Sequence, residues 1–146
     1  MTSVVGIDHG TRRIGVAVAD SETGMAFARP ALRRTNLEAD LAIIVDLCRI
    51  EGATRIILGL PRNMDGTEGA QAEIVRAFGE RLEQQGLEIV YEDERLTSWE
   101  AGERMAEAGR RARRGSGELD STAARLILQQ YLDGRHRAGP PVEESE

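Results

Sequence analysis

The order of the apolar runs constrains this chain most. Val4-Val5-Gly6-Ile7 and Ile14-Gly15-Val16-Ala17-Val18-Ala19 are separated by Asp8-His9-Gly10-Thr11-Arg12-Arg13. Two β-branched runs around a Gly-Thr turn predict a β-hairpin over residues 3–8 and 13–19, and Met25 to Arg34 is expected to add a third antiparallel strand. Asp8 then stands at the exit of the first strand. A carboxylate desolvated there without a partner is costly, so a cation or donor is expected to meet it, and a metal ion is the natural candidate.

Beyond the meander the pattern changes to alternating helix and strand. Thr35-Asn36-Leu37-Glu38 has the form of a capping box, followed by Leu37, Leu41, Ile44, Val45 and Cys48 at helical spacing. Arg55 to Leu60 reads as a central strand between breakers, and Pro61 to Gly66 as a loop. From Thr67, the positions Ile74, Val75, Phe78 and Leu82 predict a second amphipathic helix ending near Gly86. Leu87 to Tyr91 is the next strand and delivers Glu92-Asp93-Glu94. Thr97-Ser98-Trp99-Glu100 is a second capping-box match opening a short helix through Ala108. Residues 109–117 read as a mobile, arginine-rich loop. A last helix is expected from about Leu119 to Arg135, with Leu119, Ala123, Leu126, Ile127 and Tyr131 on one face. Helices between the later strands imply that those strands run parallel to the first. The expected organisation is one α/β domain over residues 1–137 and a disordered acidic tail over 138–146.

Composition excludes several functions. Of 146 residues 40% are hydrophobic but only 3% aromatic, so Val, Ile, Leu and Ala must fill the core and aromatic base-stacking platforms are not expected. No lysine occurs, which removes Walker-type phosphate binding and Schiff-base chemistry, while arginine remains a good phosphate ligand. The net charge of −6 argues against a generic polyanion binder. The lone Cys48 falls on a predicted apolar helix face and reads as an inert core thiol. His9 and His136 lack metal-ligand spacing and are expected at the surface. No run is long enough to span a membrane, and no signal sequence is apparent, so a cytoplasmic protein is expected.

Three acids are candidates to converge: Asp8, Glu94 and Asp120. In α/β sheets functional groups gather outside the carboxyl ends of the parallel strands, where Asp8 and Glu94 should lie. Such clusters suit hard divalent cations, and in two-metal phosphoryl transfer the ions activate the attacking water and stabilise the leaving oxygen. Each acid also has a plain structural alternative. Asp8 is compatible with an Asx-turn, Glu94 with an ion pair to Arg95 or replacement by Glu92 or Asp93, and Asp120 with a helix N-cap. Residues 58–69, with Asn63, Asp65 and Thr67 among glycines before a helix, suit a phosphate or an ordinary connection with Thr67 as N-cap. Arg110, Arg111, Arg113 and Arg114 suit a nucleic-acid backbone or a solvated surface.

Four motifs in fixed order carry a resemblance. They are Gly6-Ile7-Asp8-x-Gly10-Thr11-x-Arg13-Ile14-Gly15-Val16-Ala17; Gly59-Leu60-Pro61-x-Asn63-Met64-Asp65-Gly66-Thr67-Glu68-Gly69; Asp93-Glu94-Arg95-Leu96-Thr97; and Asp120-x-x-Ala123-Ala124-x-x-Ile127-Leu128-Gln129-x-Tyr131-Leu132. From Val4 to about Leu132 the chain resembles the YqgF family, also called RuvX, of pre-16S rRNA nucleases described as Holliday-junction-resolvase-like. The resemblance implies an RNase H-like (RuvC-like) fold, a five-stranded mixed sheet flanked by helices on both faces. It places Asp8, Glu94 and Asp120 on the catalytic, metal-binding carboxylate positions, with Mg²⁺ or Mn²⁺ as cofactor. The implied reaction is endonucleolytic phosphodiester hydrolysis in 5′-end maturation of 16S rRNA, with precursor rRNA, and ribosomal particles, as partners of a monomer or weak dimer. Arg13, Asn63 and Thr67 become candidate phosphate contacts, and Arg110, Arg111, Arg113 and Arg114 candidate grips on flanking backbone. Three rivals stand beside it. A four-way DNA junction is the alternative substrate, a non-catalytic nucleic-acid or ribosome-associated module the alternative role. ATP binding is the third, since Asp-x-Gly-Thr also marks the actin and sugar-kinase fold, though that needs two lobes.

Overall fold

The computed structural model describes residues 3–20, 22–94 and 121–138. Five strands, β1 (Ser3–His9), β2 (Arg13–Asp20), β3 (Met25–Arg33), β4 (Ala53–Leu60) and β5 (Glu88–Asp93), form one sheet in the order β3-β2-β1-β4-β5. The hairpin pairs β1 and β2 antiparallel, β3 continues the meander, and β4 and β5 run parallel to β1. The mixed sheet and its parallel half are thus as the sequence pattern implies. The predicted helix over 97–108, the arginine-rich loop and the tail lie outside the described residues.

Helices α1 (Leu37–Glu51) and α2 (Ala70–Gln84) connect β3 to β4 and β4 to β5. Right-handed crossovers advancing in one direction put their helices on one face, and both pack there over Val5, Ile7, Ile14, Val16, Ile56, Leu58 and Leu60. The other face, with Val4, Ala17, Ala19 and Ile57, is covered by α3 (Thr122–Ala138) through Ala124, Ile127, Leu128 and Leu132. Each strand therefore serves two cores by simple alternation.

The ends of the helices differ from the sequence reading in detail. The α1 cap is Asn36, one residue later than the capping box predicts, and its side chain accepts from the Ala39 N–H at 2.9 Å. Thr35 is engaged by Asp40 instead: its N–H and hydroxyl both donate to Asp40 Oδ1 at 3.2 Å. Helix α2 starts at Ala70 behind Gly69 rather than at Thr67, and Ile74, one position off the Ala72-Val75-Phe78-Leu82 stripe, is 48% exposed. Gly86, at φ 95°, ends the helix in a left-handed conformation that favours glycine. In α3 the buried stripe is Ala124-Ile127-Leu128-Leu132, with Leu126 also buried, whereas Ala123 and Tyr131 flank it. His9 is buried rather than exposed: at the end of β1 its ring lies 4.5 Å from that of Phe78, on the α2 side. Burial, then the nearby Arg34 charge, holds its pKa below the usual value. Cys48 is buried, and burial followed by the charge of Glu51 pushes its thiol up to about 11, consistent with an inert core residue.

Helix α3 sits unusually close to the sheet at Gly6. A Cβ there would meet Leu128 Cβ at 2.8 Å and the Ala124 carbonyl oxygen at 3.1 Å, so helix backbone as well as side chain would have to move. Gly6→Ala is expected to cost about 1–3 kcal/mol by overpacking, read as a lowered midpoint in urea with unchanged slope; an unaltered midpoint would contradict the close approach.

Candidate active site

The C-terminal ends of the three parallel strands bring two of the candidate acids together. Asp8 is the penultimate residue of β1, and Glu94 follows β5, where its N–H donates to the Leu60 carbonyl at 3.0 Å and so extends the β4·β5 pairing by one residue. Between them runs β4. The β1·β4 register, Ile7 beside Leu58, sets Gly59 beside Asp8. A Cβ on Gly59 would lie 3.4 Å from the Glu94 carboxyl and 2.6 Å from Ile127 Cδ1. The missing side chain leaves room for the Glu94 carboxyl, which faces Asp8.

The Glu94 and Asp8 carboxyl groups lie close enough to interact through a side-chain hydrogen bond. Two carboxylates cannot share a hydrogen bond unless one carries a proton. Burial first, then the bond to Asp8, then the charges of Asp8 and Asp93, push the Glu94 pKa up to about 9. Its neighbours, alternatives on sequence grounds, are engaged elsewhere. Gln130 Nε2 donates to Glu92, and Asp93 lies 3.9 Å from Arg62 Nη1, on the α2 side. Asp8 does not close the hairpin turn, because the Gly10 N–H donates to the Arg13 carbonyl at 2.9 Å and the backbone does that work.

Asp120 lies outside the described residues, as do Arg110, Arg111, Arg113 and Arg114. Among the described residues no three His, Cys, Asp or Glu side chains cluster as a metal site. The residue after Asp120 is informative nonetheless. Ser121 is fully buried, and its Oγ accepts from the Val16 N–H at 3.0 Å. That N–H lies where the β2·β3 register shifts between Ile14 and Val16, next to the Val16–Arg29 pair. The start of α3 is thereby pinned to β2 beside the Asp8–Gly15 pair. No sequence signal reveals this contact, since its partners are 105 residues apart.

Asn63 and Thr67 occupy a self-closed loop. Asn63 Nδ2 donates to Thr67 Oγ1 at 2.9 Å, the Thr67 hydroxyl and N–H donate to Asp65 Oδ1 at 2.7 and 3.0 Å, and the Asn63 N–H donates to the Thr67 carbonyl at 2.8 Å. Arg13 is exposed at the start of β2.

Two outcomes are expected. A carboxyl with a raised folded pKa holds a proton that the unfolded chain has lost, so the pair costs stability progressively as pH rises from about 4.5 toward about 9. Without divalent cations, the melting temperature of Glu94→Gln should therefore exceed that of the wild type increasingly across this interval; parallel curves would contradict the shared proton. Ser121→Ala strands a buried N–H and should cost about 1–3 kcal/mol in chemical denaturation.

Comparison with known proteins agrees with this architecture. A family model described as RuvX, Holliday junction resolvase, matches residues 2–134. A protein of Moorella thermoacetica named "Putative pre-16S rRNA nuclease" is 45% identical over 131 residues, covering 89% of this chain and 94% of its own. One of the same name from Picosynechococcus is 41% identical over 140 residues, covering 95% and 97%. Among solved structures, Thermus thermophilus RuvC superposes with a TM-score of 0.58 at 15% identity, covering 93% of this chain and 97% of that one. The fowlpox virus Holliday junction resolvase gives 0.57 at 12%, covering 92% and 100%, so the RuvC-like fold is common to all three. With a family match over residues 2–134, nearly its whole length, the chain belongs to the RuvX family.

Proposed function

We propose that this protein is a metal-dependent endonuclease that hydrolyses phosphodiester bonds in 5′-end maturation of precursor 16S rRNA in the cytoplasm. The observation that carries the reading is the convergence of Asp8 and Glu94 over the side-chain-free Gly59. The names of the 41–46% identical relatives supply the substrate.

The residues present fit a hard divalent cation: two carboxyl groups converge at the strand ends in a space kept open by Gly59, an all-oxygen donor pair of the kind Mg²⁺ and Mn²⁺ take. Asp8, Glu94 and Asp120 would hold it. When bound, the ion supplies Lewis-acid charge to the phosphoryl oxygens and lowers the pKa of water. To serve as a ligand Glu94 must give up the proton it shares with Asp8. Hydrolysis then joins water's oxygen to phosphorus and breaks one ester P–O bond, the leaving oxygen taking a proton. The chain's own task is orientation: strands fix Asp8 and Glu94, Ser121 fixes the start of α3 next to Asp120, and Arg13 with Asn63 and Thr67 hold phosphate. Arg110, Arg111, Arg113 and Arg114 grip flanking backbone. Ribosomal particles are the setting, with the enzyme a monomer or weak dimer.

A second reading, cleavage of four-way DNA junctions, is favoured by the description of the family model. One assay separates them. A 5′-extended 16S rRNA precursor and a four-way DNA junction are incubated with wild type and Asp8→Asn, in Mg²⁺, Mn²⁺ or EDTA. We expect metal-dependent cutting of the RNA, lowered at least about 100-fold in Asp8→Asn with an unchanged melting temperature. Cutting of the junction alone transfers the reading to DNA; undiminished cutting by Asp8→Asn overturns the carboxylate mechanism.

A further inference from the structure

An open groove of about 480 Å³ lies at the end of the sheet where β1 delivers Asp8, between the β1–β2 turn (Thr11, Arg12, Arg13) and the β3–α1 connection (Arg33, Arg34, Thr35). Four of its six lining residues are arginine. Its position relative to the acids follows from strand register. Asp8 pairs with Gly15, and Arg13 is two residues from Gly15, so Arg13 leaves the same sheet face as Asp8. Arg13 pairs directly with Arg33, which puts Arg33 on that face too. Thr11 is three residues past Asp8, no more than about 10 Å of chain.

Like charges set directly opposite in a ladder repel, and among the described residues no acid forms an ion pair with Arg33. Among the described residues neither Arg12 nor Arg33 makes an ion pair, and both are exposed. Arg34 has a different task. Its Nη1 donates to the Gly10 and Thr11 carbonyls at 2.9 and 3.2 Å, its Nε lies 4.0 Å from Asp40, and its N–H donates to the Arg12 carbonyl at 2.9 Å. One arginine thus builds the wall and ties it to α1, while Arg12 and Arg33 are exposed within a concave surface. Guanidinium forks match phosphate oxygens.

Resting on the nuclease reading above, we propose that this groove binds the phosphate backbone of the nucleic acid strand flanking the bond that is cut. Arg12 and Arg33 are the principal contacts, and Arg34 is a positioning residue. The charges of one strand repeat every ~3.4 Å of helix axis, so the groove engages phosphates within a few nucleotides of the carboxyl pair.

The test measures binding in EDTA, where cutting is suppressed, of a short fluorescent single-stranded oligoribonucleotide of precursor sequence across a salt series. The proteins are wild type, Arg12→Ala/Arg33→Ala, Arg12→Lys/Arg33→Lys and, as a distant control, Arg49→Ala on α1. Melting temperatures of all four are compared first. The double alanine variant should bind about tenfold more weakly, and its log Kd against log salt should flatten by about 1.4, two contacts at ~0.7 each for a single strand. The double lysine variant should keep most of the slope, and Arg49→Ala should match wild type. In the metal-dependent cleavage assay the alanine variant should show a raised KM with little change in kcat. An unchanged affinity and slope in the alanine variant, with wild type binding and cutting normally, overturns the groove and leaves the nuclease reading standing. A wild type that neither binds nor cuts RNA overturns both.

Discussion

The approach of α3 to the sheet at Gly6 is the contact on which the rest depends. With Leu128 and the Ala124 carbonyl occupying the place a Cβ would take, the helix lies against β1 at a height no other residue would permit. Four side chains, through five hydrogen bonds, then fix it in the plane of the sheet. Ser121 meets β2; Gln129 accepts from the Ala26 N–H and donates to the Gly24 carbonyl, both at 2.9 Å; Gln130 meets Glu92 on β5; and Arg55 Nη1 on β4 donates to the Tyr131 hydroxyl at 2.9 Å. Apolar packing alone would leave the helix free to slide along a smooth surface of Val, Ala and Ile. The hydrogen bonds at both edges and the centre of the sheet remove that freedom, and they do so from the last of the four sequence motifs.

That arrangement explains why so much of the fold is legible in the chain and where legibility stops. Strand runs announce themselves by β-branched residues, and the parallel half of the sheet follows from helices lying between strands. Local signals also fail locally: Thr35 looks like a cap, but Asp40 takes its hydroxyl and Asn36 caps instead. Failures of a second kind arise from tertiary packing. His9 carries no mark that Phe78 will cover it, and the stripe of α3 turns by one residue because Ala124, not Ala123, must fit over Gly6. The meeting of Asp8 with Glu94 needs the β1·β4·β5 register, which composition does not encode. The arginines of the groove are equally hidden. The run from Arg110 to Arg114 draws the eye because it is contiguous, whereas Arg13 and Arg33 become neighbours only when β2 pairs with β3.

The net charge of −6 and the proposed polyanionic substrate are reconciled by position rather than by sum. Much of the acid is tied up in exposed ion pairs, such as Glu68 with Arg76 and Glu88 with Arg55. These pairs contribute little to stability, yet each cancels a field that would otherwise repel nucleic acid. What remains on the face of the carboxyl pair is a division of sign. Acid stands at the strand ends, and exposed arginine stands on the turn next to it.

Such a division separates holding from cutting. On the proposed function, an approaching phosphodiester would meet acidic groups whose negative charge opposes the attraction of the arginines. On the proposed reading, a cation held by Asp8 and Glu94 would offset that repulsion and favour loss of the Glu94 proton. Arginine, charged at every relevant pH, needs no such event and can engage flanking phosphates beforehand. On that reading the backbone would be positioned by groups independent of the cation, while reaction would depend on the two acids. The tight Gly10 turn, closed by its own backbone, keeps these two sets of charges on one face and a few residues apart.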